Sequence, residues 1–330
     1  MIDLDPRHDR IAAPLAEALG EVSRVFERQI ASDFPAVADL CGHVARYRGK
    51  MLRPTLTLLS GASAAGGDLS VFEKDALLRL SGVVEMIHMA TLVHDDVLDE
   101  ADDRRGGATV NRLRGNETAV MLGDYLISNA FHLAASIGDA DLTERLGAVT
   151  NTLCEGELVQ LHHRDDLGLD FSTYIEIVRR KTAVLVGACG RLGGMIVGGE
   201  PETVEALGQF GERLGIAFQV RDDILDLEGD LEVVGKSVGR DLAKGKLTLP
   251  MILLLDDADA ETFSSAVDVF RRRDANGLLE LLRAGDAIDR AQEFAAEQVD
   301  VAVRAIEGRD FGGTEDLLRD LARAVVSRER

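Results

Sequence analysis

Apolar positions recur every three to four residues along almost the whole chain, and no stretch alternates apolar and polar in the manner of a strand. The pattern predicts helices over 8–32, 35–46, 51–65, 71–100, 116–137, 140–163, 172–198, 202–228, 247–257, 260–273, 276–284, 286–307 and 313–328. Proline is scarce, at 6 of 330 residues, so little interrupts them. Gly66-Gly67-Asp68, Gly106-Gly107 and Gly199-Glu200-Pro201 punctuate the pattern, and a loop rich in Gly and Lys runs from Gly229 to Gly245. None of these breaks reads as an interdomain linker, and no fixed-period repeat marks a solenoid. The expected architecture is all-α: a single domain over 1–330 with ten or more helices.

Within that helical pattern one acidic run occurs twice. Asp95-Asp96-Val97-Leu98-Asp99 returns 127 residues later as Asp222-Asp223-Ile224-Leu225-Asp226, each copy in an apolar, helix-like stretch. Residues four apart share a helix face, so Asp95 points with Asp99 and Asp222 with Asp226. Carboxylates gathered this tightly repel one another, and a hard divalent cation such as magnesium offsets that repulsion. Magnesium completes its octahedron with water and phosphate oxygens, so the third party implied is a diphosphate ester. A single run of this kind arises easily by chance in an Asp-rich chain; two in matching contexts do not.

Composition narrows the partners. A hydrophobic content of 46% is ample for a large core, and a formal net charge of -21 argues against nucleic acid or an anionic membrane surface. An anionic substrate must therefore enter a locally basic pocket. Cys41, Cys154 and Cys189 have no metal-ligand spacing, and their odd number suits reduced thiols in a cytoplasm. The N-terminus carries early acids without a long apolar core, which is unlike a signal peptide. The best candidate for a membrane span, Ala183 to Gly199, is glycine-rich and broken by Arg191, and reads as a helix buried within the protein.

Further motifs surround the acidic runs. Arg48-Gly49-Lys50-Met51-Leu52-Arg53-Pro54 precedes HDDVLDEADDRRG at 94–106; Lys181-Thr182, FQVRDDILD at 218–226 and GKSVGRDLAKGKLTLP at 235–250 follow in order. In this content and order the chain resembles the trans (head-to-tail) polyprenyl diphosphate synthases over nearly its whole length. The resemblance implies a helical bundle around a central cavity, a homodimer, and a magnesium-assisted condensation of isopentenyl diphosphate onto an allylic diphosphate. It also implies Asp95, Asp96, Asp99, Asp222, Asp223 and Asp226 as ligands of several magnesium ions bridged by the allylic diphosphate. Cations there stabilise the charge developing on the leaving group while the allylic carbon–oxygen bond breaks. In the family the departing pyrophosphate then serves as the base.

For the isopentenyl diphosphate the resemblance assigns Lys50, Arg53, His88 and Arg105, with Arg104 turned toward the allylic diphosphate. Taken alone, Lys50 and Arg53 read as a solvated helix start and His88 as a core histidine; His94 is left structural. Lys181, Thr182 and Gln219 are expected to assist ionisation and shield the cation, and Lys236 and Lys246 to close over the diphosphate from the glycine-rich loop. Two departures stand out: Arg48 where the family has Gly, and Asp103 where an uncharged residue is common. Asp103 is expected either to weaken the local positive field or to pair with a nearby Arg.

Product length follows from the helix before Asp95. Thr91 and Ala90, four and five residues earlier, are small where short-chain members place bulky aromatics, so the tail is expected to pass them and reach C30 or beyond. Ile87 and Met86 on the same helix and Phe131 on the next are candidate floors, though each is equally an ordinary core residue. The rival readings are a C15–C20 synthase, a class I terpene cyclase, a noncatalytic partner subunit and a purely structural acidic protein. An aromatic content of 4% with no Trp disfavours the cyclase, which lines its pocket with aromatics.

Overall fold

A computed structural model of the chain describes residues 8–45, 49, 51–104, 106–228 and 239–327. Arg48, Lys50, Arg105 and Lys236 lie outside the described residues. Helices follow the apolar periodicity closely: α1 (Asp9–Gln29), α2 (Pro35–Val44), α3 (Leu52–Ala64), α4 (Asp75–Leu98), α5 (Val110–Arg114), α6 (Asn116–Ser136), α7 (Ala140–His162), α8 (Phe171–Val178), α9 (Val184–Ile196) and α10 (Pro201–Glu228). The series continues with α11 (Arg240–Ala243), α12 (Leu249–Asp257), α13 (Ala260–Arg272), α14 (Ala275–Ala284), α15 (Ala287–Ala305) and α16 (Thr314–Ser327). Part of the acidic excess has a local purpose. Asp170, Asp259 and Asp274 each sit at an N-cap and accept the backbone N–H three residues on, satisfying donors that the helix itself leaves over.

Two compact units divide the chain. The first comprises Met1–Thr150, Ala188–Gln209 and Gly308–Leu318. Its centre is α4, which packs against α1, α3 and α6, so most of α4 is apolar all round rather than along one stripe. That helix, not 183–199, meets the length and hydropathy of a membrane span, with mean hydropathy 1.5, and 72% of its apolar window is buried inside the protein. The glycine-rich end of α9 has another cause. A Cβ at Gly193 would lie 2.4 Å from the Thr57 carbonyl oxygen of α3, so only glycine permits this close helix crossing.

The second unit comprises Asn151–Gly187, Phe210–Glu307 and Arg319–Arg330. Ile216, Val220 and Ile224 form a stripe at four-residue spacing on α10 and join Tyr174, Ile177, Leu249, Ile252, Phe270 and Leu282 in its core. Where the periodicity predicts one helix over 172–198, α8 and α9 are joined by a π-helical turn, Arg179–Ala183. Among the described residues strand, unforeseen in the sequence, occurs as an antiparallel ribbon of two residues a side, β1 (Asp103–Arg104) with β2 (Gly107–Ala108), turned at Gly106 with φ of 77°.

Candidate active site

The first acidic motif closes α4. Asp95 and Asp99 are half-buried, whereas Asp96, turned to the other face, is 1% exposed. Arg104 Nε donates to Asp96 Oδ1 at 2.7 Å, while Asp96 Oδ2 is buried with no hydrogen-bond partner among the described residues. Burial pushes the Asp96 carboxyl up, and the Arg104 guanidinium opposes that shift. Glu100 takes a left-handed conformation, φ of 46°, as the chain leaves the helix. The ribbon is stitched back by Asn111, whose Nδ2 donates to both Asp96 O and Ala101 O at 3.1 Å, and by Thr109 Oγ1 donating to Ala101 O at 2.6 Å. Asp103 pairs with Arg112 at 2.9 Å, the second of its two expected fates.

Other predicted residues of this unit have mixed placements. Arg53 is half-buried in the first turn of α3, after Met51 at φ of 55°. Charge from Arg53 reaches Cys189, whose thiol burial pushes up to about 11. His88 is half-buried, and its carbonyl accepts the Thr91 hydroxyl at 2.7 Å, so Thr91 spends its proton within α4. Ala90, Ile87 and Met86 are fully buried, and Phe131 is half-buried on α6. His94 Nε2 lies 3.1 Å from Val120 O, and a Cβ at Gly123 would collide with its ring at 2.1 Å.

In the second unit the structure gathers most of the predicted residues around one cavity of about 70 Å³, lined by Lys181, Thr182, Gln219, Asp223, Asp241 and Lys246 among others. The π turn presents Lys181 and Thr182, and Gly156 of α7 makes room for it, since a Cβ there would lie 2.6 Å from Lys181 N. Lys181 Nζ pairs with Glu157 at 2.5 Å, and Lys246 Nζ stands 3.6 Å from Asp241 Oδ1. Thr182 Oγ1 donates to Gln219 Oε1 at 2.8 Å and Gln219 Nε2 to Asp223 Oδ1 at 2.9 Å. The remaining Asp223 oxygen, Oδ2, accepts Tyr174 Oη at 2.6 Å.

Asp222 and Asp226 are half-buried and Asp223 is buried, repeating the first motif. Asp226 accepts backbone N–H groups from Arg240 at 3.2 Å and Asp241 at 3.1 Å at the start of α11. Burial, together with the neighbouring Asp241 charge, pushes Asp223 up to about 8 and Asp226 up to about 6. Such a crowded acidic site is short of positive charge. Among the described residues no three His, Cys, Asp or Glu side chains converge as a ready-made metal cage. The half-buried donors, Asp95, Asp99, Asp222 and Asp226, offer only carboxylate oxygens, which fits a hard cation that takes one or two carboxylates and fills its shell from water and a phosphate.

Sequence reasoning missed Tyr174, Glu157 and Asp241. Asp241 lies inside the quoted 235–250 motif and could have been singled out there. Tyr174 stands seven residues before Lys181, a spacing that shares a face in an α-helix, but the π turn between them breaks that register.

The polyprenyl synthetase family model matches residues 35–280. The chain is 32% identical to the octaprenyl diphosphate synthase of Escherichia coli (strain K12) over 326 residues, 98% of this chain and 99% of that one. The crystal structure of a decaprenyl diphosphate synthase from Rhodobacter capsulatus superposes with a TM-score of 0.89 at 33% identity, covering 98% of this chain and 99% of that one. A polyprenyl synthase from Caulobacter crescentus CB15, complexed with calcium and isoprenyl diphosphate, gives 0.88 at 31% identity and 98% coverage of each chain. By sequence over most of its length and by fold over nearly all of it, this chain belongs to the polyprenyl synthetase family.

Proposed function

We propose that the whole chain acts as one polyprenyl synthase domain. It joins isopentenyl diphosphate head-to-tail to an allylic diphosphate with magnesium, yielding an all-trans polyprenyl diphosphate of C30 or longer. One observation carries the reading: in each acidic motif the middle carboxylate is buried and hydrogen-bonded, leaving an outer pair half-exposed on one face. Asp95 with Asp99, and Asp222 with Asp226, are the pairs that would hold magnesium. The metal, when bound, neutralises the charge that builds on the leaving diphosphate.

The chain's own groups do the rest. Lys181 and Lys246 supply positive charge beside the departing group, and Thr182 and Gln219 turn their dipoles toward the allylic carbon. Arg53 and His88, with Lys50 and Arg105, hold the second diphosphate; Arg suits this because its planar fork matches phosphate oxygens. The double bond of isopentenyl diphosphate then forms the new carbon–carbon bond, and the proton lost goes to the released pyrophosphate. Small residues at 90 and 91, and relatives named for octaprenyl and decaprenyl products, support a long chain.

A homodimer is supported by Leu113, Val120 and Met121, large apolar side chains exposed on α5 and α6. Three free cysteines support a reducing, cytoplasmic setting. The test is an incubation with magnesium, radiolabelled isopentenyl diphosphate and allylic primers of several lengths, followed by sizing of the products. Products of C30 or longer are expected. Arrest at C15 or C20 refutes the length, and consumption of the primer without isopentenyl diphosphate refutes the reaction in favour of cyclisation.

A further inference from the structure

Tyr174 lies in the hydrophobic core of the second unit, 4% exposed, yet its hydroxyl is spent on a carboxylate. It begins a line of three hydrogen bonds that runs from Tyr174 Oη to Asp223 and from Asp223 through Gln219 to Thr182, each 2.6 to 2.9 Å long. The line has a direction. Gln219 turns its NH2 to Asp223 and its carbonyl oxygen to Thr182. Thr182 must then give its single proton to Gln219, and what remains on its oxygen is a pair of acceptor sites.

Thr182 and Gln219 both line the cavity that also holds Lys181 and Lys246. An oxygen whose proton is already committed is the right group to face a carbon gaining positive charge, and a hydroxyl free to rotate is not. Tyr174 removes that freedom at its source. With Oδ2 held by Tyr174 and Oδ1 by Gln219, Asp223 has both oxygens occupied within the chain. The ring is buried in the core of the second unit, which fixes where its hydroxyl can point.

We infer that Tyr174 is a positioning residue for prenyl transfer: it pins Asp223, and through Gln219 keeps Thr182 oriented with its lone pairs toward the allylic carbon. The inference rests on the prenyltransferase reading given above.

Tyr174→Phe removes the hydroxyl and keeps the ring. Its kcat for elongation is expected to fall about tenfold, the worth of one hydrogen bond. The KM for the allylic substrate, and the calorimetric Kd of an unreactive allylic thiodiphosphate, should stay within about twofold. In a Thr182→Ala background the same change should cost less than about twofold, because the line already ends short of the substrate. Unchanged kcat in Tyr174→Phe, or an equal loss in both backgrounds, overturns the inference, the latter marking Tyr174 as a packing residue.

Should circular dichroism show Tyr174→Phe unfolded, Asp223→Leu decides, since it removes both oxygens that hold Gln219 while keeping the side chain's size. Lost kcat with an unaltered magnesium half-saturation supports the line. Retained kcat, or a loss that saturating magnesium restores, refutes it. A wild-type protein that elongates nothing would refute the parent reading instead.

Discussion

Replacing Arg104 with Met should destabilise the protein in a way that acid repairs. Asp96 has a side chain 2% exposed and Arg104 one that is 25% exposed, with 2.7 Å between them. Breaking such a pair from one side strands a buried charge, at a cost of about 3 kcal/mol at neutral pH. For a chain of 330 residues that corresponds to a fall in Tm of about 4 °C. The sign of the pH effect follows from the shift. Burial already raises Asp96 above its ordinary value of 3.8, and Arg104 holds the rise in check.

Without Arg104 the folded-state value climbs further, so the folded protein binds a proton that the unfolded chain releases. Stability is then lost as pH rises through that raised value and regained as pH falls toward 3.8. Thermal melts followed by circular dichroism at pH 5 and pH 7 check this. The deficit relative to wild type should be about half as large at pH 5, and Arg104→Met/Asp96→Asn should recover most of it at pH 7. An equal deficit at both pH values, or no recovery in the double variant, would show that the ion pair is not what holds Asp96 in place.

Three further outcomes are expected. Gly156→Ala puts a methyl 2.6 Å from Lys181 N, so steady-state kinetics should show kcat reduced by roughly 10- to 100-fold while far-UV dichroism keeps the helical signal. Ala90→Phe overfills a fully buried position of α4, costing about 1–3 kcal/mol of stability, and should shorten the product by at least one isoprene unit on chromatography. Asp103→Ala loses only an exposed pair with Arg112, with side chains 56% and 50% exposed, so stability should change by less than about 1 kcal/mol and kcat not at all.

Much of this molecule is legible in the sequence because its main signal is periodic. Long amphipathic or wholly apolar segments such as 75–98 and 201–228 announce themselves, and the repeated aspartates fix which ends of those helices matter. What escapes is whatever lacks a period. Helices α5 and α11, five and four residues long, are too short to show one. The π turn at 179–183 hides in an unbroken helical pattern because one extra residue per turn leaves composition unchanged. Contacts across the sequence are equally silent: Tyr174 and Asp223 are 49 positions apart, and nothing local marks them as partners. Asp103, a departure from the family pattern, needed the Arg112 geometry to be understood.

Prenyl transfer by this chain depends on the half-buried outer acids, Asp95, Asp99, Asp222 and Asp226. Elongation by Asp95→Asn/Asp99→Asn and by Asp222→Asn/Asp226→Asn should be measured at saturating magnesium, with dichroism to confirm the fold. Each pair replaces charge at constant shape and should lower kcat by roughly a thousandfold or more, the scale expected when electrostatic support of a leaving group is removed. Wild-type rates in either folded variant would contradict it.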